Sequence, residues 1–342
     1  MNKKILFLGG SSLLAYCWCN QITTKDRVIL GIHNKTIELE GFKTVSINFD
    51  NLKNQINNLD IDIIINCIGY TSVENCEINP ENAIKINVEL PFLISQVCND
   101  LSIKLVHIST DHLFDGKIKN CNEKIKTNPL NIYAKTKNEG EKVVLENNPE
   151  ALVVRTNFFG WGPTYKESFS DYIYNNLKSK KEISLFSDVY YTPILVSELV
   201  GSIEKLIEKD CSGIYNVVSS ERISKLDFGL KIANEFSLDK SLISSVSIKS
   251  RIDLVDRPFE MSLSNDKLKK EGIFIKSIDD QIKELKTQLK NSGKRIIVKK
   301  IIPYGRQNIT EEDVQAVVKI LNSDFLTQGP VVLTFEKAIE NY

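Results

Sequence analysis

Residues 5–15 read Ile5-Leu6-Phe7-Leu8-Gly9-Gly10-Ser11-Ser12-Leu13-Leu14-Ala15. A short apolar run ending in glycines describes a buried strand entering a tight turn, and Leu13 to Ile22 continues as a helix. Gly9-x-x-Ser12-x-x-Ala15 stands where a dinucleotide fold places its glycine fingerprint, at the start of the first helix, whose free N–H groups and dipole suit a pyrophosphate. Only the first glycine survives as glycine; Ser12 and Ala15 are the next smallest residues where backbone must approach phosphate or strand. The alternative is an ordinary strand–helix turn, and the placement of the motif decides between them. Lys3-Lys4 ahead of two apolar runs also has the outline of a signal peptide, but Gly9 to Ser12 interrupt the apolar stretch.

Working outward, apolar runs at Val28 to Ile32, Val45 to Ile47, Ile61 to Cys67, Ile103 to Ile108 and Leu152 to Val154 alternate with helix-length segments, notably Glu81 to Leu101 and Asn131 to Glu146. That alternation predicts an α/β fold, a Rossmann-type doubly wound parallel sheet with helices on both faces. After Arg155 the rhythm loosens, with helical patterns near Phe169 to Leu177, Val196 to Ile207 and Ser224 to Phe236, so a smaller mixed domain follows. The expected division is 1–160 for the dinucleotide-binding domain and 161–292 for a substrate region with some return to the sheet. A C-terminal appendage, 293–342, follows the linker Asn291-Ser292-Gly293-Lys294, with one amphipathic helix from Glu311 to Leu321.

Lys+Arg and Asp+Glu both number 44, so no basic field exists to hold a nucleic-acid backbone. The seven cysteines are scattered without a C-x-x-C pair or a nearby His, which predicts no metal site and reduced, packed thiols in the cytoplasm. No run approaches the ~18 apolar residues of a membrane span.

The second strand ends at Gly31-Ile32-His33-Asn34-Lys35, about 20 residues past the fingerprint, where an acid grips the ribose hydroxyls of NAD. No acid stands there. His33 and Lys35 suit a 2′-phosphate instead, so the sequence leans to NADP(H) over NAD(H), against the reading of two solvated loop residues. Asp50, after the third strand, is a candidate for the adenine end.

Asn128-Pro129-Leu130-Asn131-Ile132-Tyr133 reads as a helix start with Pro129 in the first turn, and puts Tyr133 and Lys137 one turn apart on one face. A phenol with pKa near 10 serves as an acid or base near neutrality only if its anion is stabilised, and an ammonium one turn away supplies that charge. Spacing alone is unspecific, since Tyr174 and Lys178 repeat it. Context separates the two. Tyr133 follows a strand ending in His107-Ile108-Ser109-Thr110-Asp111, with hydroxyls where an open parallel sheet exposes its carboxyl edge, and Thr110 can hydrogen-bond a substrate carbonyl. The second pair has no such partner upstream and reads as helix surface.

Residues 1 to about 290 resemble the dTDP-4-dehydrorhamnose reductase family of extended short-chain dehydrogenases/reductases. The segments that carry the likeness are Ile64 to Thr71 with Asn87, Ser109 to Gly116, Glu123 ahead of Pro129 to Tyr133, Arg155-Thr156 and Arg257-Pro258. The resemblance implies a catalytic trio of Thr110, Tyr133 and Lys137. It implies that Gly9, Ser11, Ser12, Leu13, Cys67, Ile68, Gly69 and Asn87 line the cofactor, and that Asp111, Phe158 and Arg257 face a nucleotide-sugar substrate. Departures are Ser12 and Ala15 for glycines, Cys67-Ile68-Gly69 for a run of alanines, and Phe158 where many relatives carry Trp. The family also includes nucleotide-binding regulatory subunits of other enzymes, the alternative function, and the resemblance leaves a homodimer open.

From Ile302 a second resemblance begins: Ile302 to Asp313 and Ser323 to Pro330 resemble the opening of a PLP-dependent sugar-nucleotide aminotransferase. No cofactor lysine of that family falls within it, so no PLP is expected in this chain. The chain then reads as a reductase with a remnant tail, or as the reductase half of a bifunctional protein. Both resemblances point to activated keto sugars destined for surface polysaccharide.

Overall fold

The computed structural model describes residues 3–22, 24–33, 37–290, 298–300, 311–322 and 337. Lys35, the linker 291–294 and the tail segments 302–310 and 323–336 lie outside the described residues. Seven parallel strands form the central sheet: β1 (Ile5–Leu8), β2 (Val28–Ile32), β3 (Lys43–Ser46), β4 (Ile63–Asn66), β5 (Lys104–Ile108), β6 (Leu152–Arg155) and β7 (Gly213–Asn216). Their spatial order is β7-β6-β5-β4-β1-β2-β3. The order reverses between β1 and β4, and that switch point is where open α/β sheets leave a crevice at their carboxyl edge.

The continuous apolar character of β1 follows from burial on both faces. Ile5 and Phe7 join one core with Trp18, Leu199 and Ile203, under the helices Leu13–Cys19 and Val196–Glu208. Leu6 and Leu8 join the other with Ile94, Val97 and Val144, under Leu90–Asp100 and Ile132–Asn147. The third strand begins two residues earlier than its apolar run, because Lys43 and Thr44 lie on the edge strand, where only Val45 and its neighbours need an apolar face.

The second half returns β7 to the sheet and builds a separate core. Phe159, Trp161, Ile173, Tyr191, Phe228 and Ile282 pack there among the helices Phe169–Lys178, Lys225–Glu235 and Ile278–Lys290. A compact unit runs from Met1 to Lys300, beyond the linker expected to close it, since Val298–Lys300 pairs antiparallel with Ile37–Leu39. The remaining unit, 301–342, contains the helix Glu311–Leu321, whose Val314, Val317, Val318 and Leu321 are exposed. Among the described residues no helix is long and apolar enough to cross a membrane.

Candidate active site

The turn after β1 is fixed by two glycines. Gly9 has φ +86°, and a Cβ there would lie 3.1 Å from the backbone of Cys67 and Ile68. Gly10 lies against β2, where a Cβ would come 2.8 Å from that of Leu30; the fingerprint reading had no role for this glycine. Ser12 caps the first helix, its Oγ accepting from the Ala15 N–H at 3.1 Å. Serine at the fingerprint's second position thus satisfies a first-turn donor that a glycine would leave open.

Gly9, Ser11 and Ser12 open onto a cavity of about 630 Å³ that continues past His33, Asp50, Ile68 and Gly69. Its size and its floor of closely approached backbone fit a dinucleotide. Leu13 is turned away and packs on the core under the sheet. The His33 Nδ1–H donates to the Ile47 carbonyl at 3.1 Å, and the ring stands edge-on to Phe49. Two cations that the sequence had not marked, Lys85 and Lys166, also line this space. Asn87 does not. Its carboxamide clamps Tyr70 through the N–H (2.8 Å) and the carbonyl (3.1 Å) and donates to Thr136 Oγ1, so it shapes the segment after Gly69.

Asn131 starts the second helix of the site, accepting from the Ala134 N–H at 2.8 Å while its Nδ2 donates to the Asp256 carbonyl. Pro129, expected in the first turn, therefore precedes the cap. Tyr133, Lys137 and Glu141 recur every fourth residue on one buried face. The helix approaches its neighbour so closely that a Cβ on Gly140 would sit 2.2 Å from the Asn87 carbonyl, within the π-helical turn Lys85–Glu89. Glu141 locks the other end through a buried two-pronged pair with Arg155 of β6, with contacts of 2.6 to 3.1 Å.

The Lys137 ammonium donates to the Ile108 carbonyl at the end of β5, 2.8 Å away. Burial pulls its pKa down to about 8, with Glu141 opposing the shift. Tyr133 departs from expectation: burial pushes its pKa up to about 12, and the hydrogen bond with Thr110 is what draws it back. Of the two effects burial is the larger. At neutral pH the phenol holds its proton.

Thr110, Asp111, Tyr133, Lys137 and Phe158 meet around a second cavity of about 270 Å³, and Cys67, Ile68 and Gly69 border both cavities. The buried Asp111 carboxylate accepts from Asn157 Nδ2 at 2.8 Å. Arg257 is not among the lining residues; its guanidinium pairs with Glu74 and the Val255 carbonyl. Two neighbours escaped the sequence reading. His112 lines the small cavity, and Lys225, beside Asp111, lies over the Tyr191 ring at 3.5 Å with its pKa drawn down to about 8 by burial. Among the described residues no cluster of His, Cys, Asp and Glu could hold a metal.

A dinucleotide-sized groove at the switch point, meeting a pocket with a Thr, Tyr and Lys on its wall, defines an NAD(P)-dependent oxidoreductase of the Rossmann type. More narrowly, the chain belongs to the family described as the RmlD substrate binding domain, which matches residues 3–291. A probable low-salt glycan biosynthesis reductase of Haloferax volcanii is 33% identical over 199 residues, 57% of this chain and 66% of that protein. A hypothetical dTDP-4-dehydrorhamnose reductase from Sulfolobus tokodaii superposes with a TM-score of 0.70 at 31% identity, covering 81% of this chain and 98% of that one. The dTDP-4-dehydrorhamnose reductase of Bacillus anthracis, solved with NADP, gives 0.74 at 22% identity over 84% of this chain and 100% of that one, a likeness of fold. The family match ends ahead of the tail.

Proposed function

We propose that the protein reduces the keto group of a nucleotide-activated deoxysugar with NAD(P)H in the synthesis of surface polysaccharide. The observation that carries this reading is the convergence of Thr110, Tyr133 and Lys137 on a pocket that joins the dinucleotide groove along Cys67–Gly69. The names of the relatives support the substrate class.

When bound, the nicotinamide supplies the hydride. Gly9, Ser11 and Ser12 offer backbone and hydroxyl donors to its pyrophosphate. Asp50 lies toward the adenine end of that groove. Tyr133 is protonated at neutral pH and gives its proton to the carbonyl oxygen as negative charge develops there, while Thr110 orients that oxygen. Lys137, charged below about pH 8, stabilises the phenolate left behind once it is released from the Ile108 carbonyl or shares its donors with it. Asp111 and Phe158 face the sugar; Arg257 reaches it only by leaving Glu74. The lean to NADP(H) rests on His33, with Lys85 and Lys166 on the same groove.

We place the protein in the cytoplasm on its seven scattered cysteines, five of them buried, and read the tail as an aminotransferase-like appendage without a part in the reduction. The test is a screen of NADPH and NADH oxidation against dTDP- and UDP-linked keto-deoxysugars. Turnover with at least one of them is expected. Cofactor binding without turnover on any, joined to a rise in a partner enzyme's activity, would favour the regulatory alternative.

A further inference from the structure

The helix that carries Tyr133 and Lys137 is braced by a charge. Glu141 stands one turn beyond Lys137 on the same buried face. Arg155 Nε donates to both of its carboxylate oxygens, at 2.9 and 3.1 Å, and Nη2 donates to one of them at 2.6 Å. Both side chains are almost wholly enclosed. Arg155 ends β6, and the three residues after it, Thr156, Asn157 and Phe158, line the small cavity together with Tyr133 and Lys137. The pair therefore ties two walls of one pocket together. A tie alone has no need of charge, since a buried ion pair often adds no more stability than packed apolar side chains of the same volume.

What the charge does follows from the groups around Lys137. Tyr133 and Glu141 share its helix, His107 approaches from β5 and Cys67 from the end of β4. Burial pushes the Tyr133 phenol and the Cys67 thiol up to about 12 and keeps the His107 imidazole neutral, so none of these three carries charge at neutral pH. Asp111, the other carboxylate of the pocket, is held by Asn157 and bears on Lys225. Glu141 is left as the anion that acts on Lys137. A carboxylate one helical turn from a buried ammonium favours its charged form and opposes the effect of burial.

We propose that Glu141, oriented by Arg155, is a positioning residue for the reduction: its carboxylate holds Lys137 charged at neutral pH, where the ammonium receives the phenolate left by Tyr133. The reaction that this serves rests on the reductase reading.

The test reads Lys137 itself. Protein labelled with ¹³C at lysine Cε is titrated by NMR from about pH 6 to about pH 11, and the signal missing from Lys137→Arg identifies the residue. In Glu141→Gln the midpoint is expected to fall by about one unit or more, and the alkaline limb of kcat/KM with it. At about pH 6 turnover returns to near wild type, which a loss of packing would not allow. Glu141→Asp, which keeps the charge, holds the midpoint within about half a unit. Glu141→Gln leaves a buried guanidinium unpaired, and its Nη1 already lacks a partner among the described residues, so Glu141→Gln/Arg155→Met repeats the titration with both charges gone. Its midpoint is expected to fall too. An unchanged midpoint in the double variant, equal falls in Glu141→Asp and Glu141→Gln, or a Glu141→Gln turnover that stays low at about pH 6 overturns the proposal. A fallen midpoint in a protein that turns over no keto sugar supports the link to Lys137 and breaks the reductase reading.

Discussion

Two tyrosine–lysine pairs in this chain share one spacing and meet opposite fates. Tyr174 and Lys178 lie on the helix Phe169–Lys178, where the tyrosine packs edge-on to Trp161 and Phe236 and the exposed lysine lies over its own partner's ring at 5.2 Å. Tyr133 and Lys137 are buried, and each touches a residue at or just past the end of β5: the phenol meets Thr110 and the ammonium the Ile108 carbonyl. One pair is a local cation–π contact worth little at an exposed site. The other has its ionisation reset by burial. Spacing puts two groups on one face, but what that face meets decides whether they do chemistry.

The largest effect should separate the pairs. Tyr133→Phe removes the proton donor and is expected to lower kcat at least a hundredfold with NADPH affinity retained, whereas Tyr174→Phe leaves kcat within about twofold. Equal losses, read by NADPH oxidation and fluorescence titration, would erase the distinction.

Next comes the packing that holds the first pair in place. Gly140→Ala drives a methyl into the Asn87 carbonyl and is expected to destabilise by about 1–3 kcal/mol and to lower kcat by shifting Tyr133. A Cβ on Gly201, in the helix Val196–Glu208, would meet no atom outside its own helix backbone within 4 Å, so Gly201→Ala should stabilise by about 0.5–1 kcal/mol through helix propensity alone. Urea unfolding of both variants measures the contrast.

Ionisation sharpens it further. With Lys137 titrating near 8 and Tyr133 near 12, the alkaline limb of kcat/KM should fall through about pH 8, tenfold per unit, and report the lysine. Stability moves the other way. The folded pKa of Lys137 is depressed, so between about 8 and its unfolded value near 10.4 the unfolded chain binds more protons, and this group's contribution rises with pH. Lys225 adds a contribution of the same sign. Lys137→Met should remove part of that rise, read by urea unfolding at about pH 8 and about pH 10.

The smallest expected effect concerns the tail. Truncation after Lys300 preserves the strand paired with Ile37–Leu39 and should leave turnover and Tm unchanged within error. A loss of activity would tie the Glu311–Leu321 helix to the reductase.

Much of this architecture was legible, because parallel strands buried on both faces announce themselves as apolar runs and Gly9 marks the turn that ends the first. The pairing of Thr110 with Tyr133 was legible too, since Tyr133 follows the strand whose end carries Ser109 and Thr110. What escaped depends on partners distant in sequence. Arg257 reads as a substrate contact until Glu74, 183 residues away, is found to engage it. Asn87 reads as a cofactor contact until its carboxamide is seen clamping Tyr70. The sign of the Tyr133 shift follows from burial, which spacing does not report. His112 lines the small cavity beside Asp111, a placement that its position in the sequence does not report.

The most direct test of the central claim follows the hydride. Wild-type protein and Tyr133→Phe, each shown to bind cofactor, are given NADPH deuterated on the transferred position together with a dTDP-linked 4-keto-6-deoxyhexose, and the sugar is examined by mass spectrometry. Deuterium on the reduced sugar with wild type, and at least a hundredfold less with Tyr133→Phe, is the predicted result. Equal deuterium in both, or none from wild-type protein that binds cofactor and sugar, would contradict the account.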